Sequence, residues 1–218
     1  MSADLLRTTY ADLSGLVTGL TAGEGDRPSG CAGWTVLDLT QHLLDDARRG
    51  LVALATPAGG PVTSDAVAYW RSWQPTPDED DGTAWRTRVR ASTTGGLANL
   101  APLYAGTAAA VGVAAGRVDA GERVGTQGWV LTAGDLCSTL AVEAAVHHLD
   151  LVADLDRPGP GPAALAEVRR VLEGLHGGPL PAGWDDATAA RRGTGREPLT
   201  DADRAELGTA ADRFPLFG

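Results

Sequence analysis

Cys31-Ala32-Gly33-Trp34-Thr35-Val36-Leu37-Asp38-Leu39-Thr40-Gln41-His42-Leu43 runs from a loop into a helix with its start signals written out. Thr35 has the chemistry of a helix N-cap, because its hydroxyl can accept from an N–H of the first turn. Asp38, three residues on, can return a bond to the Thr35 N–H, the reciprocal arrangement of a capping box. Trp34 and Leu39 flank that cap as a hydrophobic staple does. The helix so opened runs to about Leu54, ahead of Pro57 and Gly59-Gly60-Pro61. Its inward stripe reads Val36, Leu39, His42, Leu43, Asp46, Ala47, which sets a histidine where an apolar residue is expected.

Outward from this helix the pattern stays helical. Upstream, Leu6, Tyr10, Leu13, Val17 and Leu20 recur at spacings of three and four and predict a helix over 2–20. Downstream, Tyr69, Trp70 and Trp73 gather around Arg71 in a short helix or ordered loop. The acidic run Asp78-Glu79-Asp80-Asp81 suits a helix N-terminus. A third helical region is expected over 82–116, with Gly95-Gly96 and Pro102 as irregularities, and then an extended arm from Arg123 to Leu131. Thr132 and Asp135 repeat the cap-and-box spacing and open a helix to about Leu155. The Pro-Gly run 157–162 punctuates the chain. Beyond it come a helix over 163–175, a loop with Gly177-Gly178, and a last helix over 201–212 capped by Thr200. The expected fold is all-α: a four-helix bundle over 1–156 with long connections, and a short helical tail over 157–218 packed on it. Bundles place their sites between helices.

Composition removes several function classes. The 218 residues carry a formal net charge of −10, the wrong sign for a nucleic-acid partner. All 18 basic residues are arginine, so Schiff-base chemistry on lysine is excluded. With 43% hydrophobic and 21% charged residues the chain has a globular balance. Met1-Ser2-Ala3-Asp4 has no basic region of the kind that opens a signal peptide, and no run approaches 18 uninterrupted apolar residues. Cys31 and Cys137 form neither a disulfide framework nor a zinc-finger spacing. A cytoplasmic protein with two free thiols and no membrane partner is expected.

The polar residues on inward faces carry the chemistry. On the Thr132 helix one seam runs Leu136, Leu140, Glu143, His147, Asp150, Asp154, apolar at first and ionisable at its end. Glu143 and His147, four apart, project from one face. With His42 from the other helix they make a set of two imidazoles and one carboxylate with a position left open, the layout of a catalytic zinc or related divalent site. Asp150, one turn on, can orient His147 through its second ring nitrogen. The alternative is a buried His–Glu ion pair without metal. Asp46, one turn after His42, reads either as a contact to the metal's surroundings or a ligand hydroxyl, or as a plain helix-face charge. His148 points away and reads as packed, His176 has no partner in sequence, Cys31 and Cys137 read as packing residues, and Arg191-Arg192 with Arg196 read as a solvated face.

The opening stretch resembles the C-x-G-W-T-V-x-D-[LV]-x-x-H-L signature of mycothiol-dependent maleylpyruvate isomerase-like proteins, in the DinB/YfiT-like superfamily of metal-binding bundles. Residues 143–151 are similar to that family's E-x-x-x-H-x-x-D motif, and 193–200 to the T-G-R-x-P-L closing segment of its small members. The resemblance implies a left-handed up-down-down-up bundle. It also implies zinc on His42, Glu143 and His147, and mycothiol as a thiol cosubstrate drawn to the open position. An arginine between the second and third helices would face the substrate; Arg71 is the residue best placed for it, in a catalytic and cofactor-binding role beside Asp46. The family's defining isomerases carry a second α+β domain, for which the residues after 157 are too few. That favours S-transfer to a small electrophile over isomerisation. A metal hydrolase using bound water, or a non-catalytic bundle that holds a metal or small molecule, are the rival readings, and a homodimer is compatible with any of them.

Overall fold

The computed structural model describes residues 2–73 and 82–218, so the acidic run 78–81 lies outside the described residues. Helix makes up 62% of the fold, against one small sheet of two strands. Four long helices dominate: α1 (Ser2–Gly19), α3 (Val36–Leu54), α5 (Leu97–Ala115) and α6 (Ala133–Leu151), with a one-turn α2 (Ala22–Gly25) after the first. Helix α1 packs on α5 and α6, and α3 packs on the same two. Leu6, Leu13, Leu39, Leu100, Leu136 and Leu140 are fully buried between them.

The caps read from sequence form. Thr35 Oγ1 accepts from the Asp38 N–H at 3.2 Å and Asp38 Oδ2 accepts from the Thr35 N–H at 2.9 Å, a pairing of the kind that stabilises a helix by about 1 kcal/mol. Thr200 does the same for α9 (Asp201–Leu207). At α6 only half of the box forms: Thr132 Oγ1 accepts from the Asp135 N–H at 3.0 Å, while Asp135 Oδ1 takes the N–H of Ala66 at 3.2 Å. The carboxylate thereby ties the 63–67 loop to the helix instead of closing the cap.

The third helical region is two helices. Gly95 and Gly96 both take positive φ, +77° and +95°, and split α4 (Thr83–Thr93) from α5. Pro102 is absorbed in α5 without a break. The extended arm is a β-hairpin, β1 (Arg123–Thr126) against β2 (Trp129–Thr132), turned by Gln127 at φ 48° and Gly128 at φ 83°. Two consecutive left-handed residues give the twist that a two-residue hairpin needs. Helix α6 ends at Leu151, so Asp154 falls past its end, exposed, and leaves the ionisable seam.

Helix α5 is 19 residues long with a mean hydropathy of 1.4, long and apolar enough to cross a membrane by those measures alone. Its mix of Ala, Gly and Leu with Asn99 and Thr107 hides this from a count of unbroken apolar runs. Leu100, Tyr104, Ala108 and Val111 face the core. After the Pro-Gly run, α7 (Pro162–His176) packs on α6 and α1, and α8 (Asp186–Gly193), a helix not anticipated from sequence, packs on α7 and α6.

Gly50 positions the site. A Cβ there would lie 2.7 Å from Leu140 Cδ1, so its absence lets α3 and α6 approach closely. From 50 to 42 along α3 the contacts climb from 140 to 147 along α6, so the two run antiparallel with His42 facing the Glu143–His147 turn.

Candidate metal centre

His42 projects from the second turn of α3, and Glu143 and His147 from adjacent turns of α6. The Nε2 atoms of both imidazoles converge on one oxygen, Glu143 Oε1, at 3.2 Å from His42 and 3.3 Å from His147. The rings stand edge to face with centroids 4.8 Å apart. All three ligand atoms lie within 4.8 Å of one another. Burial would raise the Glu143 carboxyl, but hydrogen bonds from His147 and His42 outweigh it and hold the group well below the usual carboxylate range. Two nitrogens and one carboxylate oxygen, partly shielded from water, are a donor set that fits zinc or a related divalent ion.

His147 is held from behind. Its Nδ1 lies 2.9 Å from Asp150 Oδ2, and because a carboxylate can only accept, Nδ1 carries the proton and Nε2 faces Glu143. Burial would lower the imidazole's pKa; the bonds to Asp150, Cys31 and Glu143 reverse this and raise it. Asp150 is 2% exposed. Burial pushes its carboxyl up, but the bonds from His147 and Arg196 prevail and bring it to about 2.

The loop before α3 adds a thiol. An antiparallel bridge between Pro28 and Thr35 closes it, the Ser29 hydroxyl donates to Trp34 O at 3.0 Å, and Gly33 takes φ +75°. The Gly30 N–H donates to Asp150 O at 2.8 Å and docks the loop on α6. Cys31 Sγ then stands 3.4 Å from Asp150 Oδ2 and 3.7 Å from His147 Nδ1. The signature cysteine, read from sequence as a packing residue, stands against Asp150 and the Nδ1 side of the His147 ring.

A cavity of about 630 Å³ opens over the three ligands. Trp34, Trp70, Trp73 and Phe217 form its aromatic walls, and Arg88 and Arg196 bring its positive charge. Trp34 presents an edge to His42, with ring centroids 5.3 Å apart, and Phe217 stacks on Trp70 at 4.5 Å.

Residues 6–152 match the family model of the mycothiol maleylpyruvate isomerase N-terminal domain. The chain belongs to that family. No curated protein matches the chain, and no solved structure does. The family match ends just after Asp150, so Arg196 and Phe217 come to the candidate site from outside the matched residues.

The remaining candidates fall in different places. Asp46 faces inward and is clasped by Arg49, whose Nε donates to Asp46 Oδ1 at 3.0 Å. Both belong to a polar layer with Tyr10, Tyr69 and Tyr104, whose hydroxyls burial holds in the protonated form. The hairpin tip closes this layer: Thr126 accepts from Arg49 at 2.8 Å and Gln127 from the Tyr69 hydroxyl. Arg71 is exposed on the 3-10 turn Ala68–Ser72 and is not one of the side chains lining the cavity. His148 is buried and its Nε2 donates to Pro158 O at 3.1 Å, in keeping with a packed histidine. Cys137 is buried, with its thiol pushed up to about 11 by burial.

Proposed function

We propose that this protein is a metal-dependent thiol enzyme of the mycothiol class, with zinc held by His42, Glu143 and His147. The convergence of two imidazole nitrogens on one carboxylate oxygen, beneath an aromatic-walled cavity, carries the reading. Zinc bound there supplies a Lewis acid that keeps a thiol sulfur deprotonated near neutral pH. The chain's own residues do the rest. Asp150 holds the His147 tautomer, and Trp34, Trp70, Trp73 and Phe217 exclude water from the reacting sulfur and carbon. Arg88 forms no ion pair among the described residues and lines the cavity, so it is the cation free to meet a polar or anionic substituent. Arg71, exposed next to Trp70, stands farther out, and Asp46 acts through the layer beneath the ligands. The sulfur is transferred to a small electrophile, or adds transiently to allow isomerisation.

The same reading takes residues 1–156 as an up-down-down-up bundle with 157–218 laid on it, in the cytoplasm. Two antiparallel pairs support that order. Helix α3 runs against α6, and α1 against α5, where Tyr10 meets Tyr104 and Arg7 meets Gly112. A simple up-down-up-down order would make α1 and α5 parallel.

The test is a coupled assay of the zinc-loaded protein with mycothiol and simple electrophiles, beside His42→Ala. Conjugate or isomer formed by the wild type and lost in the variant is the expected result. Turnover that ignores added thiol would sink the thiol chemistry and leave a hydrolase; no turnover with metal bound would leave a binding bundle.

A further inference from the structure

Arg196 reaches the metal centre from the far end of the chain, 46 residues after the aspartate it grips. Its Nε donates to Asp150 Oδ1 at 2.8 Å and its Nη2 to Asp150 Oδ2 at 2.7 Å, a two-pronged pair on an almost fully buried carboxylate. Its Nη1 donates to Thr194 O at 3.1 Å. All three nitrogens are thus engaged inward, although the side chain borders the cavity. Planar pairing of this kind fixes a carboxylate's orientation as well as its charge. The same Oδ2 that meets Nη2 also takes the Nδ1–H of His147. The chain of contacts runs from Arg196 through Asp150 to His147.

The tail is built to deliver this arginine. Trp184 donates through Nε1 to Asp203 at 2.6 Å, and Arg192 donates to both Asp203 oxygens at 2.9 and 2.8 Å and to Glu197 at 2.7 Å. These bonds brace α8 against α9 on either side of residues 194–200. The backbone N–H of Arg196 returns to Arg191 O at 2.8 Å, with Gly195 at φ +76° making the reversal. A side chain on this braced turn loses little further freedom when it pairs.

We propose that Arg196 is a positioning residue of the metal centre, acting through Asp150 to hold the His147 ring in place as a ligand. The tail is then a working part of the site. This rests on the metal reading above. The rival, a cation that merely lies near the site, has the opposite sign: removing positive charge beside a cation site tightens metal binding.

Zinc affinity of the full-length protein, measured with zinc ion alone by competition against a chromophoric chelator, separates the two. Arg196→Gln, which keeps most of the side-chain packing, is expected to weaken zinc binding by roughly 10–100-fold, the range for lost partners of a ligating histidine. Arg196→Lys, with charge but no fork, should fall between, and it carries the test if the Gln variant fails to fold. In an Asp150→Asn background Arg196→Gln should add less than about twofold, because a residue acting through Asp150 loses its lever there. Unchanged or tighter zinc binding by folded Arg196→Gln overturns the inference, as does its full effect in the Asp150→Asn background. Zinc binding that His42→Ala leaves unaltered would instead overturn the metal reading itself.

Discussion

Gly30→Ala should destabilise the protein although it adds one methyl group to a partly exposed loop. A Cβ at position 30 would stand 2.6 Å from Asp150 Oδ1, 2.9 Å from Asp150 Cα and 3.2 Å from Asp150 Cβ. The aspartate cannot swing aside, because Arg196 and His147 hold both its oxygens, and its Cα belongs to α6. The loop must therefore retreat by somewhat under an ångström, which lengthens the 2.8 Å bond from the Gly30 N–H to Asp150 O. Overpacking of this kind costs about 1–3 kcal/mol, and the weakened hydrogen bond adds about 1 kcal/mol. A loss near 3 kcal/mol lowers the melting temperature of a domain this size by roughly 6–12 °C. Gly15→Ala, in α1 with nothing within 4 Å of the added carbon, is the internal control and should stabilise by about 0.5–1 kcal/mol through helix propensity. Thermal melts followed by circular dichroism read both. If Gly30→Ala melts within a degree or two of wild type, the Cys31 loop is not docked tightly on Asp150.

Two further outcomes follow from the charges and thiols. Asp150 titrates at about 2 against its ordinary 3.8, a depressed folded-state pKa; its contribution, about 2 kcal/mol, is present above roughly pH 4 and lost as pH falls toward 2. Asp150→Asn should flatten the fall of melting temperature across that interval, and a variant as steep as wild type would contradict the pairing. Of the two cysteines, Cys31 borders the cavity while Cys137 is 2% exposed with its thiol near 11, so a chromogenic disulfide reagent at pH 8 should titrate one thiol rapidly in the folded protein and the second only after denaturation. Equal rates for both refute that environment for Cys137.

Much of the site was legible because its ligands obey short-range rules. His42 stood out as a polar residue on an apolar stripe, and Glu143 and His147 as an i, i+4 pair. Both facts need only the pitch of a helix. Asp150 followed from the same pitch. Cys31 did not, since its place beside Asp150 spans 119 residues of chain and depends on a loop docked by one backbone bond. Arg196 read as part of a solvated basic face because three arginines in six positions usually are one; only folding of the tail turns it onto a buried carboxylate. The β-hairpin is weakly signalled because Gln127-Gly128 is a poor turn sequence beside Asn-Gly, and α8 because its eight residues carry no apolar side chain larger than alanine.

From sequence alone come the helical class, the caps at Thr35 and Thr200, and the three metal-ligand candidates, because capping and periodicity act within about one turn of helix. Tertiary structure decided which charges meet. It paired Arg196 with Asp150, brought the Cys31 thiol to His147, and walled the cavity with Trp70 and Phe217. The physical reason is that pairing between distant segments is set by packing and burial: a carboxylate 2% exposed must find a cation or lose its charge, and only the folded chain determines which cation is within reach.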